Sequence, residues 1–291
     1  MDSPHGAEVS AEDFGLEGPR GWAFRGVDFT ADPGTLVAIE GPSGSGRTCL
    51  LLALTGRMRS TQGHAEVGGL RMPGRLAAVR RISALGPVPG VSELDPAFTV
   101  AEHLRERALL QRRFDGSLRT LLRPRAQRTA TARATVDAAL EAVRLDTAAL
   151  PKAERTSVRD LERLEALRLS IALALMARPR LLAVDDTDLK LSDADRAEAW
   201  KLLRTLADAG TTVLAVCSEA PEDAFTVRTG TPATNEQPDG AAERSTAEDD
   251  AAENDAAEDD ASENDASENP TTDDDTTGEG TADAIAETGR A

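Results

Sequence analysis

The 291-residue sequence contains no tyrosine, only two tryptophans and six phenylalanines, and aromatic residues make up 3% of the chain. A core must therefore be built from aliphatic side chains. Only two cysteines occur, Cys49 and Cys217, both inside apolar runs. They exclude a disulfide framework and fit a reducing compartment. The three histidines, His5, His64 and His103, are too scattered to suggest a metal centre. Lysine is nearly missing too: apart from Lys152, Lys190 and Lys201 every basic side chain is arginine. No apolar run reaches the ~18–20 residues of a membrane span, and no basic stretch followed by an apolar one opens the chain.

What is present is unevenly placed. Residues 241–291 carry 18 acidic side chains against Arg244 and Arg290, a net −16 of the chain's −18. The remaining 240 residues are close to neutral, so the sequence pI of 4.6 describes a tail and not a fold. No nucleic-acid partner is expected of such a surface. Residues 246–270 repeat a five-residue unit: Thr-Ala-Glu-Asp-Asp, Ala-Ala-Glu-Asn-Asp, Ala-Ala-Glu-Asp-Asp, Ala-Ser-Glu-Asn-Asp and Ala-Ser-Glu-Asn-Pro. Low hydrophobicity and like-charge repulsion predict disorder there. The rest, with a chain-wide hydrophobic fraction of 40%, can bury a real core.

The strongest local pattern is Gly41-Pro-Ser-Gly-Ser-Gly-Arg-Thr48, of the form G-x-x-x-x-G-[K/R]-T with arginine at the usual lysine position. In such a loop the glycines let successive backbone N–H groups turn inward. The helix that follows points its positive end at phosphates, and a hydroxyl can ligate magnesium. The flanks have the required order: Thr35-Leu-Val-Ala-Ile-Glu40 reads as a buried strand and Cys49–Leu54 as a helix. Gly41, Ser43, Gly44, Ser45, Gly46, Arg47, Thr48 and Cys49 are the candidate phosphate-binding residues. The arginine bias of the whole chain offers a bland compositional origin for Arg47.

Residues 1–20 look like a loose lead-in without period. Trp22–Thr30 and His64–Gly69 read as strands, residues 100–150 as helix divided at Pro124, and 159–178 as an amphipathic helix. Arg180–Asp185 is an apolar strand ending in two aspartates, 194–209 a helix, and Thr211–Cys217 the last clear buried strand. The pair Asp185-Asp186 has the form of a strand end delivering a magnesium-coordinating carboxylate, with Thr48 as its companion. A simple strand-to-loop cap is the alternative for the pair on its own.

From about Gly26 to Ala224 these segments resemble the nucleotide-binding domain of ATP-binding cassette (ABC) proteins, the subunits that power membrane transporters. The likeness is carried by the phosphate loop, Leu-Thr-Gly-Arg, Gln-Gly-His-Ala-Glu-Val-Gly-Gly, Phe-Thr-Val-Ala-Glu-His-Leu and Ala-Arg-Pro-Arg-Leu-Leu-Ala-Val-Asp. It implies an α/β fold of P-loop NTPase type: a mostly parallel sheet, an antiparallel strand region, and a helical subdomain at about residues 100–175. The implied domain is 21–228, followed by a disordered acidic tail at 229–291.

Several family positions differ in this chain. The glutamine that senses magnesium falls on Gly90, the Leu-Ser-Gly-Gly-Gln signature on Leu161–Glu165, the water-activating glutamate on Asp186 and the switch histidine on Ser218. Glu162 and Glu165 at the signature would bring carboxylates toward phosphate. Asp186 is a candidate base one methylene short of glutamate. The adenine-stacking aromatic has no counterpart, with Trp22 or Phe24 as substitutes.

The resemblance implies ATP and Mg2+ as ligands and a membrane-protein partner. It also implies pairing as a homodimer or with another ABC subunit, and a cytoplasmic location, peripheral at the inner face of the cell membrane. Hydrolysis is expected to be weak. The competing reading is a non-catalytic regulatory or scaffold protein that keeps the fold, and a third makes the tail the functional part. Nine arginines between Arg105 and Arg133, set against Glu106 and Asp115, form a solvated face or a docking surface for an acidic partner, this chain's own tail included. If the tail acts only through screened charge, a chain ending near residue 228 should match the full chain in nucleotide affinity at high salt and differ only at low salt. Identical affinity at every ionic strength, read by calorimetry, would leave the tail a solubilising role alone.

Overall fold

Strand Leu36–Glu40 is buried on both faces, and its alternating side chains belong to two different cores: Leu36 and Ala38 to one, Val37 and Ile39 to the other. That is the pattern of a parallel strand covered on both sides. The computed structural model describes residues 6–114, 125–187 and 190–230. Nine strands and six helices are found among the described residues: β1 Val9–Gly18, β2 Gly21–Ala31, β3 Leu36–Glu40, α1 Arg47–Leu54, β4 Gln62–Val67, β5 Leu70–Met72, α2 Leu76–Ile82, β6 Ser83–Leu85, α3 Val100–Phe114, α4 Arg125–Ala142, α5 Arg163–Leu175, β7 Leu181–Val184, α6 Asp193–Asp208, β8 Thr212–Cys217 and β9 Phe225–Arg228. Three short 3-10 turns lie between α4 and α5.

Two sheets result. The parallel sheet has the order β6-β7-β8-β3-β9, and the antiparallel one β2-β1-β4-β5. Leu181, Ala183, Leu214 and Val216 join Val37 and Ile39 on the face toward the antiparallel sheet, while Leu182, Val184, Val213 and Ala215 face the helices α3 to α6. Helix α1 buries five consecutive residues, Leu50 to Leu54, as a helix does only when it is covered all round. It packs in the core shared by the two sheets. The expected parallel sheet, antiparallel region and helical subdomain are all present.

Some expectations need correction. The segment 1–20 is no loose lead-in: from residue 9 it is β1, at the centre of the antiparallel sheet between β2 and β4. Register shifts between Ala11 and Glu17 break its alternation, which is why the pattern looked aperiodic. Ala7, Val9, Phe14 and Leu16 are all buried, and the Phe14 ring lies 5.7 Å from that of Phe24. The helix expected at 159–178 is shorter, Arg163–Leu175, and not amphipathic. Leu169 to Ala172 are buried in succession, because α3, α4 and the parallel sheet all cover it.

Strand β9 follows β8 and pairs with β3 at the sheet edge; only Val227 of its four residues is buried, too little for a sequence signal. Thr229, expected to begin the tail, is buried, and its N–H donates to the Glu40 carbonyl at 2.9 Å. The folded part thus reaches past residue 228. Pro124 and the acidic repeats at 246–270 lie outside the described residues.

Removing the Phe14 ring should cost about 3–5 kcal/mol, the usual loss for a buried aromatic truncated to alanine. Chemical denaturation of Phe14→Ala checks this; a loss below ~1 kcal/mol would return β1 to the status of a dispensable lead-in.

Candidate functional site

The loop that leaves β3 enters α1 through Gly46, whose φ of 82° lies in the left-handed region. A β-carbon at Gly46 would stand 1.9 Å from the Ala23 carbonyl oxygen of β2, so glycine is required for both dihedral and space. At Gly44, with φ 83°, a β-carbon would meet nothing within 4 Å. The loop is therefore closed on its underside and open above Gly44, as an anion cradle needs.

Three side chains tie this loop to the carboxyl ends of neighbouring strands. The Ser45 hydroxyl is turned inward and shares a 2.7 Å hydrogen bond with that of Thr229. Arg47 donates from Nη1 to the Cys217 carbonyl, the last residue of β8. Thr48 donates from Oγ1 to Asp185 Oδ2 at 2.7 Å. Asp185 Oδ1 also accepts from the Asp186 N–H at 3.0 Å, and the Asp185 N–H donates to the Pro87 carbonyl at 2.9 Å. The threonine, the first aspartate and the loop thus come together at the carboxyl edge of the parallel sheet, where open α/β folds place ligands.

Burial pushes the Asp185 carboxyl up from its ordinary value; the Thr48 hydroxyl pulls the other way, the neighbouring Asp186 adds to the rise, and Arg47 lowers it. Burial, then the charge of Asp185, pushes the Cys49 thiol up, which keeps it an inert thiol. Asp186 holds φ 50°, a strained conformation for a residue with a β-carbon. Both aspartates border a cavity of about 530 Å3, bounded also by Val88 and Glu93 of the loop after β6 and by Arg163 and Leu167 of α5.

The positions where the sequence departs from the ABC pattern are also placed. Gly90, φ 72°, is exposed in the turn closed by the Val88–Ser92 bridge, and its N–H donates to Glu93 at 3.0 Å. Glu162 is the N-cap of α5 and forms a reciprocal capping box with Glu165, whose Oε2 accepts from the Glu162 N–H at 2.9 Å. These carboxylates satisfy the helix's own N–H groups. Ser218 is exposed just beyond β8.

Phe24 is buried against Phe14 and cannot stack a base, whereas Trp22 is half-exposed beside Gly15. Thr229 and the Cys217 carbonyl escaped sequence reasoning: their partners lie 184 and 170 residues away, and nothing local marks them. Among the described residues no group of three or more His, Cys, Asp or Glu could hold a metal ion by itself.

Residues 24–188, more than half of the chain, match the family model described as ABC transporter. The chain belongs to the ABC transporter family. A Nod factor export ATP-binding protein I from Burkholderia thailandensis is 32% identical over 189 residues, 65% of this chain and 55% of that protein. A putative ABC transporter ATP-binding protein from Streptomyces avermitilis is 33% identical over 189 residues, 65% of this chain and 29% of its own length. This ABC chain spans about half the length of the Nod factor relatives it matches.

Among solved structures, cbiO1 from Clostridium perfringens, part of the ABC transporter complex cbiONQ, superposes with a TM-score of 0.59 at 18% identity. The match covers 77% of this chain and 88% of that one. The dimeric ATP-binding cassette MJ0796, in a post-hydrolysis state with ADP and Pi, gives 0.55 at 20%, covering 72% and 88%. Both likenesses bear on the fold, which is that of an ABC cassette.

Because folded Asp185 keeps its proton to higher pH than the unfolded chain does, its contribution favours the fold below the unfolded carboxylate range and is lost as pH rises through the raised value. Near neutral pH Asp185→Asn should therefore stabilise the ligand-free protein and raise its melting temperature. Calorimetric melting checks it, and a lowered melting point would contradict it. Gly46→Ala should destabilise by at least ~2 kcal/mol through the clash with Ala23, whereas Gly44→Ala should cost about 1–2 kcal/mol, from its dihedral alone.

Proposed function

We propose that this chain is an ATP-binding subunit of a membrane transporter complex, weakly hydrolytic at most. The observation that carries the reading is the Thr48–Asp185 contact at the mouth of the glycine loop, which places a hydroxyl and a carboxylate together beside a phosphate cradle. Magnesium typically takes one or two protein oxygens and completes its shell with phosphates and water, which suits this pair. Bound there, Mg2+ would supply neutralisation of phosphate charge. The backbone N–H groups of the loop and the first turn of α1 would orient the phosphates. Asp186, on the cavity beside Asp185, is the candidate base. Its shorter reach, together with Ser218 and Gly90 at the other family positions, supports slow turnover.

The partner under this reading is a membrane protein, with a second cassette, the same chain or another, opposite the loop. The Nod factor relatives' names speak of export, and one structural neighbour is a dimer. No helix among the described residues is long and apolar enough to cross a membrane, so residence at the inner face of the cell membrane would come through that partner. One observation favours the alternative of a non-catalytic regulator or scaffold with ATP as a structural ligand. The α5 N-terminus at the signature position is capped by its own Glu162 and Glu165 and offers little to a phosphate across an interface.

Titration with magnesium-ATP is expected to give binding heat and thermal stabilisation of about 2.7 kcal/mol at a hundredfold excess over Kd. Absence of both signals at millimolar nucleotide would sink the proposal. Turnover by the isolated protein should fall well below the ~1–10³ s−1 of ordinary enzymes. Arg47→Lys alone should recover little, because residues acting as a unit are not additive. Turnover within that ordinary range would instead support a fully competent ATPase.

A further inference from the structure

Arg47 is the first residue of α1, and its backbone is fixed by the seat of Gly46 on Ala23. Its guanidinium donates to the carbonyl of Cys217, a residue wholly shielded from water at the end of β8. β8 lies between β3 and β7, so this carbonyl stands between the strand that delivers the loop and the strand that delivers Asp185. A guanidinium is rigid and planar, so holding one of its nitrogens restricts where its other donors can reach; a lysine ammonium on a flexible stem is free to follow its ligand. Asp185, buried nearby, adds an attraction that keeps the cation at the strand ends. The N–H groups of the loop and the Thr48–Asp185 pair would serve two phosphates and a metal without drawing on Arg47.

We propose that Arg47, held by the Cys217 carbonyl, determines ligand preference at this site: the third phosphate finds no cation, and nucleoside diphosphates are taken about as well as triphosphates. The inference rests on the nucleotide-binding reading given above. To clamp a third phosphate, Arg47 would have to abandon a charge-assisted hydrogen bond at a buried strand end, and that loss offsets part of what the new contact gains.

Calorimetry on the full chain with magnesium-ADP and magnesium-ATP tests this. The two dissociation constants of the native protein are expected within about threefold of each other. Arg47→Lys is expected to shift the preference toward ATP by tenfold or more, which is about 1.4 kcal/mol. Arg47→Ala, with thermal melting as the check that it folds, is expected not to separate the two nucleotides.

A native preference for ATP above tenfold that Arg47→Ala abolishes would overturn the inference while leaving nucleotide binding intact. An unchanged ratio in Arg47→Lys would overturn it as well. Failure of the native protein to bind either nucleotide would overturn the nucleotide-binding reading and this inference together. If Arg47→Ala does not fold, the native ratio and the lysine variant decide.

Discussion

Only a hydrogen atom fits between the α-carbon of Gly46 and the Ala23 carbonyl of β2, and much of the architecture hangs on that approach. It brings the start of α1 against the antiparallel sheet, while the loop before it is continuous with β3 of the parallel one. The helix is thereby held in the core common to both sheets, where Leu50 to Leu54 lose almost all contact with water. Those apolar contacts, at ~25 cal/mol per Å2, help to hold the two sheets together. The same approach leaves the loop's upper side, over Gly44, as the direction open to a ligand. Fold and site share one steric constraint.

Around that point the electrostatics are arranged with opposing signs. Asp185 is buried beside another aspartate and would be costly if alone, yet Thr48 and Arg47 lie on hand to compensate. At the start of α5 the two glutamates complement the positive end of a helix dipole, which makes them favourable to this chain taken by itself. The carboxylates that a sequence comparison marks as losses are thus, for the isolated domain, stabilising caps.

The legible parts of the sequence were those in which a local pattern has a local cause. Leu36–Glu40, Leu181–Val184 and Thr212–Cys217 are buried on both faces, so they stand out as unbroken apolar runs. The glycine loop is legible because its dihedrals demand glycine. β1 was not, because Glu12 and Asp13 stand exposed within it and the register shifts twice around Phe14. Helix α5 reads as amphipathic because Arg163 and Arg168 suggest a wet face; Arg163 is indeed exposed, but Arg168 is half-buried and Leu169 to Ala172 beyond it are covered all round. The tethers from Ser45 and Arg47 depend on which strand ends become neighbours, a property of topology that no stretch of sequence contains. Glu162 and Glu165 were visible as charges, but only the position of the helix start reveals that they cap it.

Thr229 connects the phosphate loop to mechanics. It follows the last residue of β9, an edge strand with one neighbour, and it is held by two groups: the Glu40 carbonyl, where β3 runs into the loop, and the Ser45 hydroxyl inside the loop. Tension applied to the chain beyond Gly230 would enter the domain through these contacts before it reached the core. This edge strand of the parallel sheet would therefore act as a lever arm whose short end rests on the loop.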